Sequence, residues 1–142
     1  MTLTDEEANH LIKMDKMYVG NKVYPFPERL SIPLCSTDRK VEFILDIAAG
    51  NVKLSKSKFQ NRVYKNIVLM RIDLDGNPHR NPNGEIIPCP HLHCYKEGCV
   101  DRWATPLPKI FTGPSDPFKT LQEFMNHCHI ILKPEFENEF EK

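Results

Sequence analysis

The chain has 142 residues, 19 basic and 19 acidic side chains, and a hydrophobic content of 40%. This length predicts one domain with its own core, and zero net charge gives no overall attraction to nucleic acid or to a membrane. No apolar run approaches the roughly 18 residues of a membrane-spanning helix, and the N-terminus lacks the pattern of a secretion signal. We therefore expect a cytoplasmic protein whose five cysteines are reduced.

The N-terminal segment predicts a helix that runs from Thr4 to about Tyr18. Thr4 and Glu7 have the spacing of a capping box, in which each side chain bonds the backbone amide of the other. Apolar residues follow at helical spacing from Leu11 onward. Gly20 is expected to end the helix, because glycine readily adopts the left-handed conformation of a C-terminal cap.

Beyond this helix the apolar residues alternate with polar ones, which predicts strands. Pro33 confines the first strand to a sheet edge, since proline has no amide hydrogen to donate. A turn at residues 49–51 joins the second strand to a hairpin partner. The fourth strand is apolar on both faces and is expected to be central. The predicted strands are 29–34, 41–47, 52–54 and 67–74.

The C-terminal half begins with a segment, residues 75–90, that holds four prolines and two glycines and predicts a loop without regular structure. Strand-like residues return at 91–95 and again at 101–104. Asp116 is expected to cap a second helix that starts at the following proline. The tail, residues 133–142, is acidic and is expected to be frayed or docked.

These elements together predict a single α+β domain that spans residues 1–142. Its sheet is expected to be antiparallel, with five or six strands. The N-terminal and C-terminal helices are expected to pack on one face of that sheet, because each presents one apolar side.

The candidate site centres on His91, His93 and Tyr95, which alternate along a predicted strand and would project from one face about 6.7 Å apart. His79 and Arg80 in the preceding loop are expected nearby. Two histidines can divide the general base and general acid roles, and an arginine can stabilise a phosphate, all without a metal ion. This set suits cleavage of RNA, whose ribose hydroxyl is the nucleophile. In the alternative interpretation, the histidines only hydrogen-bond the carbonyl groups of the loop.

A zinc site is a second interpretation of the same region. The ligand types that zinc accepts occur at five positions, namely Cys89, His91, His93, Cys94 and Cys99. Their spacing does not fit a zinc knuckle or finger, and on a strand Cys94 points away from both histidines. We therefore predict no metal and no other cofactor, and expect the cysteines to be small buried residues beside surface histidines.

The chain between Asp46 and Asp73 contains no acidic residue. Its basic residues are Lys53, Lys56, Lys58, Arg62, Lys65 and Arg71, interleaved with Phe59 and Tyr64. Such a surface suits phosphates together with aromatic stacking, and we predict that the first five of these residues bind nucleic acid. The alternative is a solvated hairpin whose lysines protect a sheet edge from aggregation.

The sequence resembles a family of small bacterial proteins without an assigned function. The family signature reads P-H-R-N-P-[DN]-G-E, then I-P-x-P-H-L-H-x-Y-x-E-G, then W-A-x-P-L; it corresponds here to residues 78–85, 87–98 and 103–107. The cysteines fall on variable positions of this signature, which weakens the zinc interpretation. The Pro/His loop that leads into P-H-x-H is also similar to the TumE toxins of toxin–antitoxin operons, and this similarity implies a bacterial stress or mobile-element protein that acts on RNA and is held by a small partner.

Two functions are expected from these observations. The first is a toxin-like or mobile-element enzyme that cleaves RNA at a metal-independent histidine site and is bound by a small antitoxin-like or host protein. The second is a non-catalytic prophage or mobile-element accessory protein that blocks another macromolecule through the proline-rich loop. Both need a rigid loop on a sheet, so the sequence alone leaves them open.

Overall fold

The structure is a computed structural model that describes residues 2–49 and 53–141. Within these residues the chain forms two α-helices, α1 (Asp5–Lys13) and α2 (Pro117–His127), and none of its helices is long and apolar enough to cross a membrane. The strands are β1 (Lys16–Met17), β2 (Val23–Phe26), β3 (Arg29–Ser36), β4 (Glu42–Ala48), β5 (Lys58–Val63), β6 (Ile67–Asp73), β7 (His79–Arg80), β8 (Ile86–Ile87), β9 (His91–Cys94), β10 (Ala104–Pro106), β11 (Ile130–Leu132) and β12 (Glu135–Asn138). The fold is therefore α+β, as the sequence predicted.

The main sheet has eight strands in the order β10-β9-β6-β5-β4-β3-β1-β11, and two small sheets pair β12 with β2 and β7 with β8. All neighbours in the main sheet are antiparallel except β1 and β11. The sheet is larger than the five or six strands predicted. The additional strands β1 and β11 have only two and three residues, too few to show an alternating pattern in the sequence.

The core lies on one face of the sheet, where alternate strand residues and both helices meet. In β4, for example, Phe43, Leu45 and Ile47 are buried, and the residues between them are partly exposed. Leu11 of α1 and Phe124 of α2 belong to the same hydrophobic cluster as these strand residues. The strand residues between the buried ones project from the opposite face.

The first helix is shorter than predicted. It begins with the predicted capping box of Thr4 and Glu7, but it ends at Lys13 rather than Gly20. Met14 is extended, and the chain then enters β1, where Lys16 pairs with Ser36 and with Ile130. Strand pairing on both sides of β1 therefore overrides the helical spacing of the apolar residues.

The hairpin after β4 differs from the prediction in its second strand. Residues 54–56 form a 3₁₀ turn rather than a strand, and β5 begins only at Lys58. Of the predicted turn and partner strand, residues 50–52 lie outside the described part of the chain. The antiparallel partner of β4 is instead β5, which lies beyond the predicted partner strand.

The proline-rich segment 75–90 contains regular structure that the sequence did not predict. His79 pairs with Ile87 and Arg80 with Ile86 in the β7–β8 hairpin. Asn81 fixes this hairpin to the sheet, because its buried side chain accepts from the amide of Ala104 and donates to the carbonyl of the same residue, both at 2.8 Å. The hairpin is consequently held against the end of the main sheet.

The acidic tail is docked over most of its length. Glu135–Asn138 forms β12, which runs parallel to β2, and the rings of Phe136 and Tyr24 are 6.1 Å apart. Residues 139–141 continue as a 3₁₀ turn.

Candidate functional site

Two adjacent strands bring together a cluster of charged and imidazole side chains. In the register of β6 and β9, Asp73 faces His91 and Arg71 faces His93. All four side chains project from the face of the sheet opposite the core, so the two histidines share a face, as alternation predicted. Their ring centroids are 4.8 Å apart, and each histidine is only 1% exposed.

His79 completes the cluster from the β7–β8 hairpin. Its ring centroid lies 4.6 Å from that of His93 and 6.1 Å from that of His91, with the planes steeply inclined. Its Nε2 is 2.7 Å from the carbonyl oxygen of Arg102. Unlike the other two rings, His79 is partly exposed to solvent. The hairpin therefore folds back over the two buried histidines and presents a third ring at the surface.

The hydrogen bonds of the buried histidines define which ring nitrogens carry hydrogen. Nδ1 of His91 is 3.2 Å from the carbonyl of Ile87, and Nδ1 of His93 is 2.9 Å from that of Asp101. A carbonyl oxygen only accepts, so Nδ1 is the donor in both rings. Nε2 of His93 lies 3.0 Å from Nη2 of Arg71, and it accepts because a guanidinium only donates. Both nitrogens of His93 are thus engaged.

Asp73 is the anionic centre of the cluster and is 7% exposed. Its Oδ1 accepts from Nε of Arg71 at 2.9 Å, and its Oδ2 lies 3.2 Å from Nε2 of His91. Burial alone would raise the pKa of Asp73, but the positive charges of Arg71 and Lys58 outweigh it and lower the pKa well below its usual range. Asp73 therefore stays ionised and holds the cationic side chains around it.

A metal ion could find three ligand atoms here. Among the described residues, Asp73, His91 and His93 each offer one atom, and these atoms lie within 4.8 Å of one another. Cys94 and Cys99, which the zinc interpretation would include, do not belong to this group, and Cys89 Sγ lies 3.6 Å from Nδ1 of His91. Arg71, however, already donates to the Nε2 lone pair of His93 that a metal would need. The geometry fits a hydrogen-bonded network better than a metal centre.

We therefore expect the purified protein to hold no stoichiometric metal, because a cation in this cluster would have to displace the guanidinium of Arg71 from His93. Elemental analysis after exhaustive dialysis without chelator measures the number of metal ions per chain directly. About one zinc or other divalent ion per chain, lost when Asp73 is replaced by asparagine, would contradict this expectation.

Two residues predicted for the site lie elsewhere. Tyr95 was expected to share the face of His91 and His93, but it is buried in the core, where its hydroxyl accepts from the amide of Leu3 at 2.7 Å. Strand β9 ends at Cys94, and the amide of Tyr95 bonds the carbonyl of Leu69, where the register of β6 with β5 shifts. A bulge of this kind interrupts alternation. Arg80 is exposed, and its Nη1 donates to the carbonyl of Gly84 rather than to the cluster.

Arg71, Asp73 and Asp101 belong to the cluster but were not predicted as site residues. Asp101 contributes its backbone carbonyl to His93, and its carboxylate lies 3.6 Å from Nη1 of Arg71. A signal was present in the sequence, because Arg71 and Asp73 are alternate charged residues in a central strand that is otherwise apolar. Their meeting with the histidines depends on the pairing of β6 with β9.

The predicted nucleic-acid-binding residues lie along and around β5: Lys53, Lys56 and Lys58 line one depression, and Lys58 and Arg62 line another. Lys53 and Lys56 precede β5, Lys65 lies in the turn after it, and Arg62 is paired with Asp46 at 2.6 Å. Lys58 alone of the five faces the histidine cluster, because its cross-strand partner is Asp73. The two interleaved aromatic residues also separate: Phe59 is fully buried in the core, and Tyr64 is exposed in the turn.

Comparison with known proteins gives a family but no function. No curated protein and no solved structure matches the chain. Residues 3–130 match the sequence model of a protein family described as "Family of unknown function (DUF6978)". This match includes both helices and every residue of the cluster around Asp73. The chain therefore belongs to this family of unknown function.

Proposed function

We propose that the protein cleaves RNA without a metal ion, and that His79 exchanges protons with the substrate. The observation that carries the proposal is the position of His79, which is partly exposed and lies against His93, itself bonded to Arg71. Nε2 of His79 donates to the carbonyl of Arg102. In the described part of the chain, Nδ1 of His79 has no hydrogen-bond partner, so it is the nitrogen left to act as a base.

The chemistry follows from one base and one fixed cation. Nδ1 of His79 accepts the proton of a ribose 2′-hydroxyl, and the 2′-oxygen forms a bond to the adjacent phosphorus. The bond between phosphorus and the 5′-oxygen breaks, and that oxygen takes a proton from water. The proton held by His79 then neutralises the hydroxide, which restores the base. Arg71 stabilises the charge on the phosphorane oxygens, because Asp73 and His93 hold its guanidinium in place. The products are a 2′,3′-cyclic phosphate and a 5′-hydroxyl.

His91 and His93 take a positioning role in this proposal. Each donates Nδ1–H to a backbone carbonyl, and each Nε2 faces Arg71 or Asp73. A substrate atom reaches neither ring without displacing the β7–β8 hairpin, because both are buried. That the two residues are required for activity stays a prediction from the sequence.

The experiment is to incubate the purified protein with single-stranded RNA in excess chelator and to analyse the product ends. We expect cleavage into fragments that carry cyclic phosphates, because the nucleophile belongs to the substrate and no metal is needed. DNA of the same sequence is the control, since it lacks the 2′-hydroxyl and should stay intact. Cleavage of both nucleic acids, or cleavage that stops in chelator, would reject this mechanism.

A specific observation also favours the non-catalytic function. His91 bonds the carbonyl of Ile87 and thereby ties the β7–β8 hairpin to the sheet, as a rigid recognition loop would require. In the non-catalytic function the protein binds and blocks another macromolecule. In the enzymatic function its partner is a small antitoxin-like or host protein. Growth arrest of a bacterial host on expression, relieved by His79→Ala, favours the enzyme; a harmless protein without RNA cleavage favours the binding module.

A further inference from the structure

The open face of the sheet carries a depression beside the histidine cluster. Its volume is about 480 Å³, and it is lined by strands β3, β4, β5 and β6. The polar side chains around it are Arg29, Ser31, Asp46, Lys58, Gln60, Arg62 and Arg71. The depression is therefore built from residues that alternate with the core residues of the same strands.

Among the residues that the structure describes, four basic side chains and one carboxylate line this depression. Asp46 is already saturated, because Ser31 and Gln60 each donate to it and Arg62 donates through both Nε and Nη2. The side chains of Arg29 and Lys58 form no hydrogen bond or ion pair within residues 2–49 and 53–141. Within the described chain, the depression therefore presents the unpaired cationic groups of Arg29 and Lys58, whereas its carboxylate, Asp46, is already fully hydrogen-bonded.

The depression is continuous with the histidine cluster. Across neighbouring strands Asp46 pairs with Gln60, Gln60 with Arg71, and Arg71 with His93. Strands in a sheet lie about 4.8 Å apart, so this row covers roughly 14 Å. Arg71 connects the depression with the histidine cluster, since it lines the depression and donates to His93.

Among the described residues that line the depression, Phe59 is the only aromatic one, and it exposes no ring surface. Phe59 belongs to a lining strand, but its ring is fully buried in the core against Phe124. Base stacking, which distinguishes and holds bases in many single-strand binding proteins, is therefore not offered at this surface. What remains is an array of cations suited to phosphate groups.

We propose that this depression holds the phosphate backbone of single-stranded RNA next to the cleaved bond, with little regard to base identity. The proposal rests on the proposed function for the site of cleavage, and it adds the substrate class and the residues that bind it. Arg29 and Lys58 contact phosphates of the flanking nucleotides, and Arg71 contacts the phosphate that is cleaved.

The test measures binding separately from cleavage. The probe is a fluorescently labelled 2′-O-methyl RNA of about ten nucleotides, which lies within the usual range of single-strand site sizes and lacks the nucleophile. Anisotropy titrations at several salt concentrations give the slope of log affinity against log salt. Lys58→Ala and Arg29→Ala should each reduce this slope by about 0.7, the value for one lost contact to a single strand. Probes of adenine, uracil and cytosine should bind with similar affinity.

Lys13→Ala is the matched control, because it removes one exposed positive charge from helix α1, away from the depression. It should leave the salt slope unchanged. An effect of Lys13→Ala equal to that of Lys58→Ala, or binding of the wild type that is undetectable at low salt, would overturn the inference, as would strong preference for one base. Binding that depends on Lys58 and Arg29 without any cleavage of ordinary RNA would support the subsite and reject the nuclease. Cleavage of ordinary RNA, together with binding that does not depend on Lys58 or Arg29, would support the nuclease and reject the subsite.

Discussion

Replacing His79 with alanine is expected to slow RNA cleavage by about 10²- to 10⁴-fold, the usual contribution of a proton-transfer group. The affinity for RNA should stay close to that of the wild type, because His79 adds no positive charge to the depression of Arg29 and Lys58. Cleavage is measured under single-turnover conditions with labelled RNA, and affinity with the 2′-O-methyl probe.

The controls separate loss of the base from loss of the fold. His10→Ala removes an exposed histidine from α1 and should cleave RNA as the wild type does, which also excludes a contaminating nuclease. Thermal unfolding should show that His79→Ala keeps the wild-type fold. A well-folded His79→Ala variant that cleaves at the wild-type rate would remove His79 from the mechanism, and equal loss of binding and cleavage would assign it to substrate binding.

The sequence predicted the parts of the fold in which pattern and packing agree. Alternation in β4 and the capping box of α1 are local signals, and the structure confirms both. The extra strands were missed because their existence depends on partners elsewhere in the chain. Lys16, for example, joins β1 through Ser36 and Ile130, which are distant in sequence.

The same distinction explains what could be predicted of the candidate site. His91 and His93 share a face because of their spacing, which is visible in the sequence. Their contact with Arg71 and Asp73 depends on the register of β6 and β9, which no local pattern contains. The predicted position of Tyr95 on the same face is wrong for the same reason, because a change of register at Leu69 interrupts the alternation on which that prediction depended.

Lys16→Met is expected to lower the free energy of unfolding by about 3 kcal/mol at neutral pH. The side chain of Lys16 is fully buried, and its Nζ donates to the carbonyls of Ile12, Met14 and Cys128 at 2.7–2.9 Å. Methionine fills a similar volume but leaves these three carbonyls near the ends of α1 and α2 without a donor, and each unsatisfied buried acceptor costs about 1–3 kcal/mol. Relief from burying an ammonium offsets part of this loss. Urea unfolding followed by circular dichroism measures the difference.

The pH dependence of this difference tests the cause. Burial lowers the pKa of Lys16 from its usual 10.5 to about 8, so between these values the unfolded chain binds more protons than the folded one. The wild type should therefore gain stability relative to Lys16→Met as the pH rises from about 8 to 10.5. Lys13→Met, at an exposed position of α1, is the control and should change stability by less than about 0.5 kcal/mol without this pH dependence. A difference between wild type and Lys16→Met that is near zero at neutral pH would show that Lys16 does not hold the two helix ends together. A difference that shrinks as the pH rises from about 8 to 10.5 would contradict the lowered pKa of Lys16.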